Sequence, residues 1–340
     1  METQQATTLK DLAVQLALAG RSQEADATFA EALVATREIK GKSSRAIALC
    51  QLAAALAQVH RYPDAEALLV EIPLMIHSLR PVSSQENVRC AMALALAQIG
   101  HFPQAMEIAR SLQQDLPRLD ALKGVAKLLA QAGQFSQAAD AIRLIPGYRQ
   151  VPALGELGVQ LIQADRCDEA AAIFAEARKV AAGLERWSIY GLVSLSKILT
   201  QVDRLQEADA VLTEAKALVD LIGDEVIREN SLEKLALALS EVGRFAEAIA
   251  IARTLSYPSW PEKTLREVVT MMAKVGEFSQ AKELADSIPI NGYRGEALQK
   301  LGEAMSLADH PQAEAVVAEA KTTLAIAWKA YYEAIADELD

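Results

Sequence analysis

Punctuation is scarce in this 340-residue chain, which carries 16 glycines and 11 prolines, against roughly 12% for the two together in ordinary soluble proteins. Sheet-rich and Rossmann-type folds, which need frequent turns and glycine-rich loops, are therefore not expected. Aromatic residues make up only 5%. Cysteine is also rare: Cys50, Cys90 and Cys167 are too few and too scattered for a disulfide framework or a structural zinc site, which fits a reducing compartment and a cytoplasmic location. Positive charge is in deficit, with 34 Lys and Arg against 45 Asp and Glu and a net charge of −11. That balance argues against nucleic acid or an anionic membrane as the default partner, since phosphate binding needs clustered cations. No basic leader opens the chain, Lys10 and Asp11 interrupt its first apolar stretch, and no later segment is long and apolar enough for a membrane span. Phosphate-loop, dinucleotide, zincin and nucleophile-elbow motifs are all missing, so no cofactor or metal is expected.

What is present is 51% hydrophobic residues, with Ala, Leu, Gln and Glu abundant, the composition of a chain that is helical almost throughout. A six-residue phrase recurs: GRSQEA at 20, HRYPDA at 60, GHFPQA at 100, GQFSQA at 133, DRCDEA at 165, DRLQEA at 203, GRFAEA at 243 and GEFSQA at 276, with a shorter DHPQA at 309. Apolar residues on both sides recur at three- and four-residue spacing. The phrase is thus the turn of an antiparallel helix pair. Gly20, Gly100, Gly133, Gly243 and Gly276 stand where a left-handed residue ends the first helix, and Asp165 and Asp203 tolerate the same conformation. Two residues later an aromatic (Tyr62, Phe102, Phe135, Phe245, Phe278) is expected to plug the space between the helices. The closing Ala, at 25, 65, 105, 138, 170, 208, 248, 281 and 313, is small enough to let the helix backbones approach.

Successive turns are 40, 40, 33, 32, 38, 40, 33 and 32 residues apart. The turns at 60, 100, 133 and 165 repeat 143 residues later, and local words repeat with them: Glu86-Asn87 matches Glu229-Asn230, and MEIARSL at 106 matches IAIARTL at 249. An older duplication of a four-hairpin block follows. Intervals of 38 to 40 carry polar connectors (GKSS at 41, RPVSSQEN at 80, GLERW at 183, IGDE at 222) and predict longer second helices that widen the stack locally.

These features resemble the tetratricopeptide repeat family. The residues that carry the resemblance are Leu12-Ala13, Leu52-Ala53, Leu157-Gly158, Leu195-Ser196 and Leu235-Ala236 before the turn, the turn aromatic and Ala, Phe29 and Phe174 four residues beyond the Ala, and Pro117. The family's early Trp and mid-helix Tyr are missing. The resemblance spans nearly the whole chain and implies an all-α fold: a right-handed α-solenoid of about nine antiparallel helix-turn-helix repeats, because one hairpin can bury its apolar stripe only against its neighbours. We expect a single domain over 1–340, with four-repeat blocks at about 46–188 and 189–320. A terminal capping helix is expected at 321–340, where Trp328, Tyr331, Tyr332 and Ile335 would cover the last apolar face.

Chemistry-bearing residues are dispersed. Of the four histidines, His60, His101 and His310 fall in or beside equivalent turns of different repeats, which suits turn or cap roles better than a metal site. Cys50 and Cys90 occupy the same position of adjacent first helices, where apolar packing is preferred to a redox pair. Glu207 and Glu247 sit in the first turn of a helix and complement its dipole. Trp187 and Trp260 each open a first helix and are expected to pack over the preceding connector.

The resemblance also implies where a partner binds. The family's ligand-contacting positions on the first helices map to Asn87, Gln98, Asp120, Lys123, Lys127, Gln131, Gln163, Tyr190, Lys197, Gln201, Asn230, Glu233, Glu241, Lys263, Arg266 and Lys274. One position is Gln in five successive repeats, from Gln58 to Gln201; such a ladder offers donors and acceptors to an extended peptide, or is simply a good helix former at a solvated end. The cluster of Lys and Arg implies an inner face more basic than the chain and an acidic segment as partner. The family's chaperone-tail clamp of Lys and Asn is not reproduced in order. The implied function is a non-enzymatic protein-interaction scaffold or adaptor; the alternatives are a helical-repeat lyase or carrier for a small molecule or chromophore, and an assembly factor that self-associates through its C-terminal helix.

Overall fold

The computed structural model describes residues 2–184 and 188–339, and side-chain surroundings as far as Tyr331. Its helices come in pairs: α1 (Glu2–Leu18) with α2 (Ser22–Glu38), α3 (Lys42–Gln58) with α4 (Tyr62–Leu69) and α5 (Ile72–His77), α6 (Val82–Ile99) with α7 (Phe102–Ser111), and α8 (Asp115–Gln131) with α9 (Phe135–Arg143); α10 (Gln150–Gln163) is followed in the chain by α11 (Cys167–Ala182). They continue with α12 (Ser188–Gln201) and α13 (Leu205–Val219), α14 (Glu225–Glu241) and α15 (Phe245–Ala252), α16 (Trp260–Lys274) and α17 (Phe278–Asp286), and α18 (Asn291–Leu307) and α19 (Ala313–Leu339). No strand occurs among the described residues.

Each copy of the phrase closes its turn in the same way. The leading residue is left-handed at all nine: Gly20, Gly100, Gly133, Gly243 and Gly276, and also His60, Asp165, Asp203 and Asp309, with φ between 50° and 96°. The next residue's N–H reaches back five positions to the first helix, as in Arg21 to Leu16, Arg166 to Leu161 and His310 to Met305, at 2.9 Å. A second bond spans three positions, as from Gly20 to Ala17. Together they satisfy carbonyls that a helix end otherwise leaves open, the Schellman arrangement. The closing Ala is buried at every one of the nine turns. The aromatic behaves less uniformly. Phe102 and Phe135 are buried, whereas Tyr62 stays outside the helix pair, 39% exposed, with its hydroxyl 3.0 Å from His60 Nδ1.

Second-helix length follows turn spacing. Where the interval is 38 or 40, α2, α11 and α13 run 17, 16 and 15 residues; where it is 32 or 33, α7, α9, α15 and α17 run 8 to 10. The exception is the hairpin after His60, where one long helix was expected and two short ones, α4 and α5, occur. Pro73 is the reason, because its ring excludes the carbonyl four residues back, and that residue, Leu69, is the last of α4.

The chain divides into two compact units, Met1–Ala170 and Ala171–Asp340. In the first, α1, α3, α6, α8 and α10 pack in sequence as neighbouring first helices; in the second, α12, α14, α16 and α18 do the same. Each unit is an all-α stack whose hairpins bury their apolar stripes against one another, with Leu49, Leu52, Leu122, Leu129 and Leu154 fully enclosed in the first and Ile189, Leu192 and Leu195 in the second. The last hairpin is sealed by the early part of α19, where Ala313, Val316 and Ala320 are buried. Trp328 and Tyr331, expected to form that cover, are instead 58% and 56% exposed, their rings edge-on to each other. The side chains of Tyr332 and Ile335 lie outside the described residues, as does Trp187. Trp260 packs as expected over its connector, 5.0 Å from the ring of Tyr257.

Candidate interaction face

Helical periodicity gathers the expected contact positions of each first helix on one stripe. On α8 the stripe is Asp120, Lys123, Lys127 and Gln131, at three- and four-residue spacing; on α10 it is Glu156, Gln160 and Gln163, and on α6 Asn87 and Gln98. Asn87, Asp120, Lys123, Lys127, Gln131 and Gln163 are exposed, and Gln98 is half-buried. In the second unit the stripe is Tyr190, Lys197 and Gln201 on α12, Asn230, Glu233 and Glu241 on α14, and Lys263, Arg266 and Lys274 on α16. Gln201, Lys263 and Lys274 are exposed there, whereas Glu233 is buried.

The cations expected to make this face basic are mostly met by carboxylates on a neighbouring first helix. Lys123 Nζ lies 2.9 Å from Glu156 of α10, and Lys197 Nζ 2.9 Å from Glu241 of α14. Lys263 Nζ lies 3.0 Å from Glu233 of α14. Arg266 pairs with Glu296 of α18 and with its own neighbour Glu267, and its guanidinium stands 5.7 Å from the Tyr293 ring. Burial lowers the Arg266 pKa, and the hydrogen bonds it donates to Glu267 and Glu296 more than offset it, so the net shift is upward. Lys234 covers Tyr190 at 5.8 Å. In each unit the first-helix face is therefore of mixed charge. Among the described residues only Lys127 and Lys274 of the six expected cations lack an ion pair, and both are exposed.

The glutamine position falls at the last helical residue of α3, α8, α10 and α12 (Gln58, Gln131, Gln163, Gln201). These side chains are exposed at helix ends and leave both amide groups to water or to a ligand.

Nothing brings the histidines together. His77 Nδ1 donates to the Pro73 carbonyl at 2.7 Å, His101 faces Glu66 at 3.2 Å, and His310 lies against the Phe278 ring. Among the described residues no three His, Cys, Asp or Glu side chains could share a metal ion. The three cysteines are free thiols, Cys50 buried and Cys90 half-buried. Among the described residues no helix is long and apolar enough to cross a membrane.

The repeated basic residue of the turn phrase links neighbouring hairpins. Arg61, Arg166 and Arg204 lie over the aromatic rings of Phe29, Phe135 and Phe174 of the preceding hairpin, at 5.5, 4.9 and 5.0 Å. Arg61 also reaches Asp26, and Arg244 reaches Asp209, at 2.7 and 2.9 Å. Each of these side chains ties its own turn to the hairpin before it. The signal was the alternation of Arg with an aromatic or acid about 30 residues upstream.

No family model matches the chain, and no curated protein matches it. Among solved structures, the chain is similar over 89% of its length to Ton1535 from Thermococcus onnurineus NA1, at 16% identity, 92% coverage of that chain and a TM-score of 0.37. It is similar over 97% of its length to a signal transduction ATPase with a tetratricopeptide repeat sensor from Pyrococcus horikoshii, at 12% identity and a TM-score of 0.35, and it spans 54% of that chain. A Rap protein complexed with competence and sporulation factor is similar over 97% of this chain and 99% of its own, at 13% identity and a TM-score of 0.33. The repeats of this chain are tetratricopeptide-like. They share a left-handed turn residue, a buried Ala five positions on and, within each unit, the stacking of first helix on first helix.

Proposed function

We propose that the protein is a non-enzymatic scaffold that holds a segment of a partner protein along the first-helix face. The observation that supports this reading is the regular row of exposed polar side chains on α6, α8 and α10 (Asn87, Asp120, Lys127, Gln131, Gln163), set on helices whose buried faces fix their spacing. A preformed surface of that kind costs little ordering on binding. Amide side chains at helix ends supply donors and acceptors for an extended backbone, and Lys127 supplies a cation beside them for a carboxylate. Because Lys123 already faces Glu156, an acidic partner would engage Lys127 first and would have to exchange with Glu156 to use Lys123.

Site-specific photocrosslinking tests the assignment. A photoreactive residue at Gln131 should capture a discrete partner in the native host, whereas the same group at Ser136, exposed on α9, should not. The captured protein, purified, should bind the isolated chain, and Lys127→Glu with Gln131→Ala should weaken that binding about tenfold. Equal crosslinking from both positions, or unaltered affinity, would overturn the first-helix face as the binding surface.

A further inference from the structure

On the second-helix face of the first unit one seam opens into a wide cleft. Between α4 and α7, successive second helices, lies a cleft of about 610 Å³ floored by α6. Leu69 and Val70 line one side, Met92 and Leu96 the floor, and Ile108 the other side. Val70 is 74% exposed, and Leu74 on α5 is also exposed.

In the duplicated block side chains bridge the corresponding seam. There α13 runs unbroken to Val219, and Lys216 in its last turn pairs with Glu247 of α15. Arg244 adds bonds to Asp209 at 2.9 Å and to Thr213 at 3.0 Å. The residues 143 positions earlier are Pro73 for Lys216, Gln104 for Glu247, Val70 for Thr213, His101 for Arg244 and Glu66 for Asp209. Of the three links, the first unit keeps one, His101 to Glu66 at 3.2 Å. Pro73 breaks the helix after Leu69 and stands where Lys216 stands in the duplicate, and Val70 replaces a hydroxyl by an exposed apolar group.

The mouth is acidic. Glu66 and Glu107 stand at it, and Glu107 has no ion pair among the described residues. The one guanidinium in the cleft, Arg89, is met by buried Glu86 at 3.2 Å and by Ser111 Oγ at 2.6 Å. The cleft runs beside α7 from His101 to Ser111, roughly 15 Å of helix, and is open along that length. Small-molecule sites enclose most of their ligand; a channel between two helices over a third is the shape into which another helix packs.

We propose that this cleft is a docking site for an amphipathic helix of a partner protein, one with an apolar stripe flanked by Lys or Arg. Its apolar residues at i, i+3 or i+4, and i+7 would cover Val70, Met92 and Ile108, and its cations would face Glu66 and Glu107. The site is independent of the first-helix face and adds a second partner, or a second segment of the same partner, on another side of the same unit.

The probe is a fluorescein-labelled, amidated 18-residue peptide with a leucine stripe flanked by lysines; its counterpart carries glutamates in place of the lysines. Two variants of the full chain are compared with wild type by anisotropy. One installs the bridging residues of the duplicated block with Val70→Thr, Pro73→Lys, His101→Arg and Gln104→Glu. The other, Val70→Arg with Glu107→Arg, changes two exposed side chains and leaves α4 and α5 as they are. The Leu/Lys peptide should bind wild type at least tenfold more tightly than either variant, and the Leu/Glu peptide should not bind. Failure of the Leu/Lys peptide to bind wild type, equal binding to wild type and to Val70→Arg/Glu107→Arg, or equal binding of both peptides would each overturn the proposal. Crosslinking from Gln131 reads the first-helix face separately, so the two assignments can fail independently.

Discussion

Glu86 and Gln113 are 27 residues apart in sequence, yet the buried carboxylate of Glu86 accepts the backbone N–H of Gln113 at 2.7 Å and that of Gln114 at 3.2 Å. Its duplicate, Glu229, accepts the backbone N–H of Ser256 at 2.9 Å and the Ser256 hydroxyl at 3.0 Å, again across 27 residues. The shared Glu-Asn word thus marks a device: a carboxylate on a first helix holds the connector that leads out of its own hairpin. Without it, connector N–H groups at the helix junction lose their acceptor, and an unmet buried donor costs about 1–3 kcal/mol. Glu86→Ala and Glu229→Ala should each destabilise the chain by about that amount. Ser256→Ala, which leaves the backbone bond in place, should cost about 1 kcal/mol or less. Urea denaturation measures all three, and equal stability of Glu229→Ala and wild type would remove the device.

The turns predict a pair of opposite effects. Gly243 has φ of 83°, and a Cβ there would meet no atom within 4 Å, so substitution costs conformation and not space. Gly243→Ala should destabilise by about 1–2 kcal/mol. Asp309 already bears a side chain at φ of 50°, and Asp309→Gly should be neutral or stabilising by up to about 1 kcal/mol, the relief offset by the freer unfolded chain. Thermal midpoints of the two variants should therefore move in opposite directions or differ clearly in size.

Much of this fold was legible because its signals are local. Gly or Asp at the turn and Ala five residues later state a helix end and a close crossing within one phrase, and all nine turns took the left-handed conformation, His60 included. Turn spacing stated second-helix length. The charge of the first-helix face was not legible. Lys123, Lys197 and Lys263 find carboxylates 33, 44 and 30 residues away, and which side chains meet depends on the rotation of one hairpin on the next, which no short-range pattern encodes. The break after Leu69 had a local signal, Pro73, that periodicity alone passed over.

Thiol reactivity should separate the three cysteines. Burial pushes the Cys50 thiol up to about 12, and burial together with the nearby Asp120 charge pushes Cys90 up to about 11. Thiolate is the reactive form, so at pH 8 neither should react while the chain is folded. Cys167, exposed at the start of α11, should titrate at once with Ellman's reagent. One thiol per chain is expected in buffer and three in urea, and Cys167→Ser should abolish the fast phase alone. A fast second thiol would show that Cys50 or Cys90 is more open to solvent than its packing implies.

Two ion pairs on the first-helix face should differ in weight although their distances match. Lys123 and Glu156, 2.9 Å apart, are both about half exposed, and such pairs contribute roughly 0–1 kcal/mol because water and salt screen them. Lys263 and Glu233 are 3.0 Å apart, but the Glu233 side chain is only 10% exposed. Removing the ammonium leaves that carboxylate out of water without its counter-charge, the situation in which breaking a pair costs more than the pair itself contributes. Lys123→Met should leave stability within about 0.5 kcal/mol of wild type, and Lys263→Met should lower it by about 1–3 kcal/mol. Glu233→Gln placed on Lys263→Met should recover part of the loss, since a neutral amide removes the stranded charge. A double-mutant cycle in urea at low and at 0.5 M salt decides the point: coupling at Lys123 should vanish with salt, while coupling at Lys263 persists. If Lys263→Met proves as mild as Lys123→Met, Lys263 is as available to a partner as any exposed lysine; if it is costly, Lys263 holds α16 against α14 and the binding role of the face falls to its exposed neighbours.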